Sequence, residues 1–67
     1  RIMLNITEEQ RKLFIEHLSE KELQNNIDDV LDVLDDKLTE IGFNADYSLN
    51  EVGLKLQRLY DELYSQN

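Results

Sequence analysis

The sequence predicts an all-α protein, a small three-helix bundle in a single domain spanning residues 1–67. The chain has no proline and only two glycines, so no flexible linker is evident in it. At three places a hydroxyl residue is followed three positions later by glutamine or glutamate, which is the pattern of a helix-capping box. Behind each of these starts, apolar residues recur at three- and four-residue steps, as they do along one face of a helix.

The first helix is predicted at about 8–18, with Thr7 and Gln10 as its capping box. Its apolar face contains Leu13, Phe14 and Leu18. If this helix continued further, a rotation of about 100° per residue would carry Leu23 away from that face. A new start at Ser19 removes the conflict. The sequence therefore predicts a break between the first and second helices.

The second helix is predicted at about 20–41, with Ser19 and Glu22 as its capping box. Gly42 follows the last apolar position and is predicted to be a left-handed C-cap. The apolar stripe of this helix, which is predicted to face the core, consists of Leu23, Ile27, Val30, Leu31, Leu34, Leu38 and Ile41.

The third helix is predicted at about 49–64, behind the capping pair Ser48 and Glu51. Gly53 lies inside this helix and is interpreted either as a close approach between helices or as a tolerated small residue. The predicted core positions are Leu49, Val52, Leu56, Leu59 and Leu63.

Residues 1–6 are predicted to form a short N-terminal arm, since this segment alternates poorly and is too short to define a strand. Arg1 and Ile2 are interpreted either as additions before a start at Met3 or as the beginning of a segment cut from a larger protein.

Charge and composition restrict the function. Fifteen acidic residues against seven basic ones give a formal charge of −8. A surface of this sign repels nucleic-acid phosphates and anionic lipids, so neither direct nucleic-acid binding nor membrane binding is predicted. Cysteine is absent and no apolar run is long enough for a transmembrane helix, which favours a soluble protein in a reducing compartment. The predicted location is the cytoplasm.

Carboxylates are concentrated on the second helix, in the segment IDDVLDVLDD at residues 27–36. On a helical wheel they lie opposite the apolar stripe, so one interpretation is a solvated face that maintains solubility. Like charges four residues apart cost about 0.2–0.5 kcal/mol each, so this face is denser in charge than stability favours. We therefore expect it to bind a basic patch of a partner protein. Val33 and Leu54 fall outside the helical stripes, are predicted to be exposed, and are expected to contribute apolar contacts beside the carboxylates. The candidate partner-binding residues are Asp28, Asp29, Asp32, Val33, Asp35, Asp36, Glu40 and Leu54.

Neither a metal site nor catalysis is predicted. The segment 44–50 has the alternating oxygen side chains of an EF-hand loop, but Leu49 stands where a glycine is needed and Lys55 where a bidentate glutamate is needed. His17, the single histidine, is interpreted as a partly buried, hydrogen-bonded side chain rather than a general base. Because no cofactor motif or pair of catalytic groups accompanies it, the chain is predicted to bind no cofactor and not to be an enzyme.

Two functions are consistent with these observations. The first is a small acidic inhibitor, because in size, acidity and helicity the chain resembles bacteriocin-type immunity proteins and phage-encoded antagonists. That resemblance is one of composition and indicates only the class of protein, whereas the basic partner is predicted from the acidic second helix. The second is a structural or assembly module, either one that forms a homodimer through the apolar stripe of the second helix or a domain cut from a larger protein. Tyr47, Tyr60 and Tyr64 are interpreted either as an aromatic interface patch or as an edge of the bundle.

Overall fold

The computed structural model describes residues 4–67. Within that range the chain forms three α-helices and one 3₁₀ turn, and no strand. The prediction of an all-α three-helix bundle is confirmed. The question of where a natural chain would start concerns Arg1, Ile2 and Met3, which lie outside the described residues. In chain order the elements are α1 (Glu8–His17), the 3₁₀ turn (Glu20–Gln24), α2 (Ile27–Ile41) and α3 (Glu51–Gln66).

The core is formed mainly by α2 and α3, and α1 contributes Phe14 as its one buried side chain. All the buried apolar residues occupy positions that the sequence assigned to the apolar faces. In the predicted stripe of the second helix, Leu23 and Ile27 are only partly buried, and Ile41 at the end of α2 is 37% exposed. The buried core consists of Phe14, Val30, Leu31, Leu34, Leu38, Leu56, Leu59 and Leu63.

The second predicted helix is divided in two. Glu20–Gln24 form a 3₁₀ turn, and α2 starts only after Asn26, whose side chain accepts a hydrogen bond from the Asp29 backbone N–H at 3.0 Å. The prediction of one continuous helix at 20–41 is therefore wrong. Asparagine stabilises a helix start better than a helix interior, because its side chain bonds to nearby backbone groups. The predicted capping box at Ser19 is also incomplete, because its hydroxyl accepts from the Lys21 N–H.

The start of α1 is confirmed and the start of α3 is shifted. The Gln10 N–H donates to the Thr7 hydroxyl at 3.1 Å, and the Thr7 N–H donates to the Gln10 side chain at 3.0 Å, which completes the predicted capping box. In α3, Asn50 replaces Ser48 as the cap, since its side-chain oxygen accepts from the Gly53 N–H at 2.7 Å.

Asn50 joins α2 to α3. Besides capping α3, its side-chain amide donates to the Ile41 carbonyl at 2.8 Å, and its backbone N–H donates to the Gly42 carbonyl at 2.9 Å. The side chain thus satisfies a free N–H at the start of one helix and a free carbonyl at the end of another.

We expect Asn50→Ala to lower the free energy of unfolding by about 1–2 kcal/mol, because the helix cap and the bond to Ile41 are lost together. Urea denaturation followed by circular dichroism measures this change. Asn25→Ala, at an exposed asparagine that caps no α-helix start, is the control and should alter stability by less than about 0.5 kcal/mol. Equal stability of the two variants would contradict the role of Asn50.

Two buried glycines set the approach of α2 to α3. A Cβ atom added to Gly53 would overlap the carbonyl group of Gly42, at 2.9 Å from its carbon. Of the two interpretations of Gly53, the structure therefore supports the close approach. Gly42 has a φ of −89°, so the predicted left-handed cap is wrong. Glycine fits there because an added Cβ would lie 3.0 Å from the Gly53 Cα.

A short hairpin connects α2 to α3. Phe43 and Leu49 form an isolated antiparallel bridge, and Tyr47 in the turn has a φ of 68°, in the left-handed region that few residues other than glycine adopt. The Asp46 carboxylate accepts from the Ser48 hydroxyl at 2.6 Å and from the Ser48 N–H at 3.1 Å. These bonds, the hydroxyl first, lower the pKa of Asp46 below its ordinary value.

The described part of the N-terminal arm is attached to the bundle. Leu4 and Ile6 pack against the core, while Asn5 between them is hydrogen-bonded to the C-terminal end of α3. Its side-chain amide donates to the Gln66 carbonyl at 3.0 Å, and its N–H donates to the Asn67 side chain at 2.9 Å.

Candidate protein-binding surface

Six carboxylates on the outer side of α2 are exposed to solvent. The side chains that α2 buries in the core occupy the intervening helical positions, so the carboxylates face away from the core. This is the arrangement that the helical wheel predicts. We call this surface the acidic face, and it consists of Asp28, Asp29, Asp32, Asp35, Asp36 and Glu40.

The acidic face has little cationic compensation within the described part of the chain. Lys37 is the one basic residue of α2, and its Nζ lies 3.7 Å from a carboxylate oxygen of Glu40. The other ion pair among residues 4–67 joins Arg11 to Glu20, outside α2. Two of the carboxylates are in the first turn, where the helix dipole favours them, but the last turn has no basic residue. The charge on α2 therefore exceeds what the stability of the helix favours.

The two apolar residues that were expected to accompany the carboxylates are placed differently. Val33 is half-buried against the core, so the prediction that it is exposed is wrong. α2 therefore packs a wider arc of side chains against the core than the predicted stripe contains. Leu54 is 58% exposed, as predicted, but it lines a groove formed by residues of α1 and α3 and by none of α2. Neither Val33 nor Leu54 therefore provides an exposed apolar contact on the acidic face.

The groove between α1 and α3 was not predicted. It has a volume of about 580 Å³, and its apolar lining is supplied by leucines of both helices. The one sequence signal for it was Leu54, an apolar residue outside the stripe of its helix. We call it the α1–α3 groove, and its lining residues are Glu9, Gln10, Leu13, Glu51, Leu54, Lys55, Arg58, Leu59 and Glu62.

The oxygen-rich segment at 44–50 forms the hairpin. The Asn44 side-chain amide donates to the Ser48 hydroxyl at 3.0 Å, Asp46 accepts from Ser48, and Asn50 caps α3. These oxygen atoms are used to hold the turn. Across residues 4–67, no group of three or more histidine, aspartate or glutamate side chains is arranged to hold a metal ion.

The histidine and the tyrosines do not assemble into a second site. His17 is half-buried in the last turn of α1. Tyr47 is 86% exposed in the hairpin before α3, whereas Tyr60 packs against the core in the C-terminal half of α3. Tyr64 lies one turn later and is exposed. The rings are thus divided between the two ends of α3.

Comparison with models of known protein families, with curated proteins and with solved structures gave no match to this chain. In the portion that the structure describes, no helix has both the length and the apolar character needed to cross a membrane. The function is therefore inferred from the surface itself.

Proposed function

We propose that the protein is a non-catalytic binding domain whose acidic face docks on a basic surface of a partner protein. In this role it acts as a small inhibitor or immunity-like antagonist of that partner. The observation that supports the proposal is the exposure of six carboxylates on a helix of 15 residues that contains a single lysine.

The helix gives these carboxylates a regular spacing. Asp28, Asp32 and Asp36 are each four residues apart, so they follow one line along α2 at intervals of about 6 Å. Arginine and lysine side chains on a facing surface pair with such a line, and arginine bonds a carboxylate in a bidentate manner. The formal charge of −8 also attracts a cationic partner before contact and speeds association.

The acidic face contributes little to the fold, which makes the proposal testable by substitution. Its side chains are exposed, and the core of α2 lies on the other side of the helix. Asparagine has nearly the shape of aspartate, so changing Asp28, Asp32 and Asp36 to asparagine removes charge while the buried contacts remain. Relief of like-charge repulsion at four-residue spacing offsets part of any loss in helix stability.

We expect the triple variant Asp28→Asn, Asp32→Asn and Asp36→Asn to retain its helix content and to lose the partner. The measurement is affinity capture from a lysate of the source cells at moderate salt, with bound proteins identified and quantified by mass spectrometry. The wild-type chain should retain one basic protein in a near-stoichiometric amount.

The matched control is a second triple variant, Glu8→Gln, Glu16→Gln and Asp61→Asn, which removes the same number of charges at exposed positions outside α2. It should retain the partner like the wild-type chain. The proposal is wrong if both triple variants lose the partner equally, or if the wild-type chain retains only a mixture of basic proteins that moderate salt removes together.

A further inference from the structure

Two copies of this chain cannot associate through the apolar stripe of the second helix, which is the surface predicted from the sequence. The apolar stripe of α2, which was the predicted seam between two copies, supplies buried residues of the intramolecular core. The α1–α3 groove, in contrast, is open to solvent. Leu54 lies at this groove with 58% of its surface exposed, and Leu13 and Leu59 contribute to the same lining.

The edge of α3 along this groove carries charges of both signs. The ion pairs found among residues 4–67 involve neither Lys55 nor Arg58. Glu62, one turn after Arg58, instead accepts a hydrogen bond from the Gln10 amide at 2.9 Å. Glu51, at the start of α3, is exposed. The cations of this edge are therefore available to carboxylates of another molecule.

We propose that a second copy of this chain docks on the α1–α3 groove, with the two α3 helices antiparallel. Glu51 and Arg58 are separated by about two helical turns, so both lie on the same face of α3. A twofold axis that passes between Leu54 and Lys55 places Glu51 of each copy opposite Arg58 of the other. At the centre of the contact, Leu54 of each copy then packs against the aliphatic part of Lys55 of the other, and two reciprocal ion pairs lie beside it.

Charge disfavours a neighbouring register of the two helices. If the axis passed between Leu56 and Gln57, Lys55 of one copy would face Arg58 of the other, and these like charges would repel. Charge also favours the groove edge over other surfaces, because two copies of a chain with a formal charge of −8 repel each other over most of their area. The groove edge offers opposite charges next to exposed apolar surface.

The test is sedimentation velocity of the full chain at increasing concentration and physiological ionic strength. The wild-type chain should form a reversible dimer. Glu51→Arg alone and Arg58→Glu alone should each weaken dimerisation about tenfold or more, because every reciprocal pair becomes a like-charge contact. The double variant E51R/R58E should dimerise like the wild-type chain, since the exchanged charges again face each other.

An equimolar mixture of the two single variants should also form a mixed dimer, because arginines of one chain then face glutamates of the other. Glu16→Arg and Lys21→Glu change the net charge by the same amounts at exposed positions outside the groove, and should leave dimerisation unchanged. Circular dichroism verifies that each variant is folded. A wild-type chain that is monomeric at every concentration, single reversals without effect, or a monomeric double variant would each overturn the proposal. The acidic face takes no part in this contact, so the outcome is independent of the proposed function.

Discussion

Phe14→Ala is expected to lower the free energy of unfolding by about 3–5 kcal/mol, which is the usual cost of removing a buried phenylalanine ring. Phe14 is fully buried and is the one residue of α1 in that class. A single core in a domain of this size rarely supplies more than about 3–5 kcal/mol, so the variant should be largely unfolded near body temperature. Thermal denaturation followed by circular dichroism measures the loss.

Ile15→Ala is the matched control, because Ile15 is a neighbouring apolar residue of α1 that is 41% exposed. Its effect should be less than about half that of Phe14→Ala, since less apolar surface is removed from the packed interior. Similar losses of stability in the two variants would contradict the assignment of Phe14 as the anchor of α1.

Gly53→Ala is expected to destabilise the protein by a net amount of about 2 kcal/mol, although alanine is the better helix former. The propensity gain is about 1 kcal/mol, whereas forcing extra atoms into a packed contact costs about 1–3 kcal/mol or more. The higher cost applies here because the atoms in the way belong to the backbone of Gly42, which cannot rotate aside as a flexible side chain does. The separation of α2 from α3 would have to increase.

Ser65→Ala is the control for helix propensity, because this residue is exposed near the end of α3. It should leave the urea midpoint unchanged or raise it slightly, while Gly53→Ala lowers it. A Gly53→Ala variant more stable than the wild-type chain would show that α2 and α3 do not require the close approach.

The helical fold could be predicted because hydrophobic periodicity depends on local spacing. The errors occurred where several polar residues competed to start a helix. Asn26 and Asn50 act as caps in places where Ser19 and Ser48 showed the familiar capping-box pattern. Which candidate becomes the cap depends on the backbone N–H groups that the tertiary arrangement leaves free, and sequence spacing does not determine this arrangement.

The candidate surface was predictable to a similar degree. A helical wheel correctly placed the carboxylates of α2 in solvent, but it placed Val33 there as well, although this side chain packs against the core. The α1–α3 groove depends on how two helices from opposite ends of the chain are positioned. Residues such as Leu13 and Leu54 are brought together only by the tertiary fold.

The measurement that tests the central claim most directly is a calorimetric titration of the captured partner with three forms of the chain. These are the wild-type chain, the Asp28, Asp32 and Asp36 triple variant, and the control triple variant at Glu8, Glu16 and Asp61. If the acidic face is the binding surface, the first triple variant should bind about a hundredfold more weakly, while the control of equal net charge stays within about threefold of the wild-type chain. Equal weakening of both variants would show that net charge alone attracts the partner, and unchanged affinity of the first would show that α2 is not the binding surface.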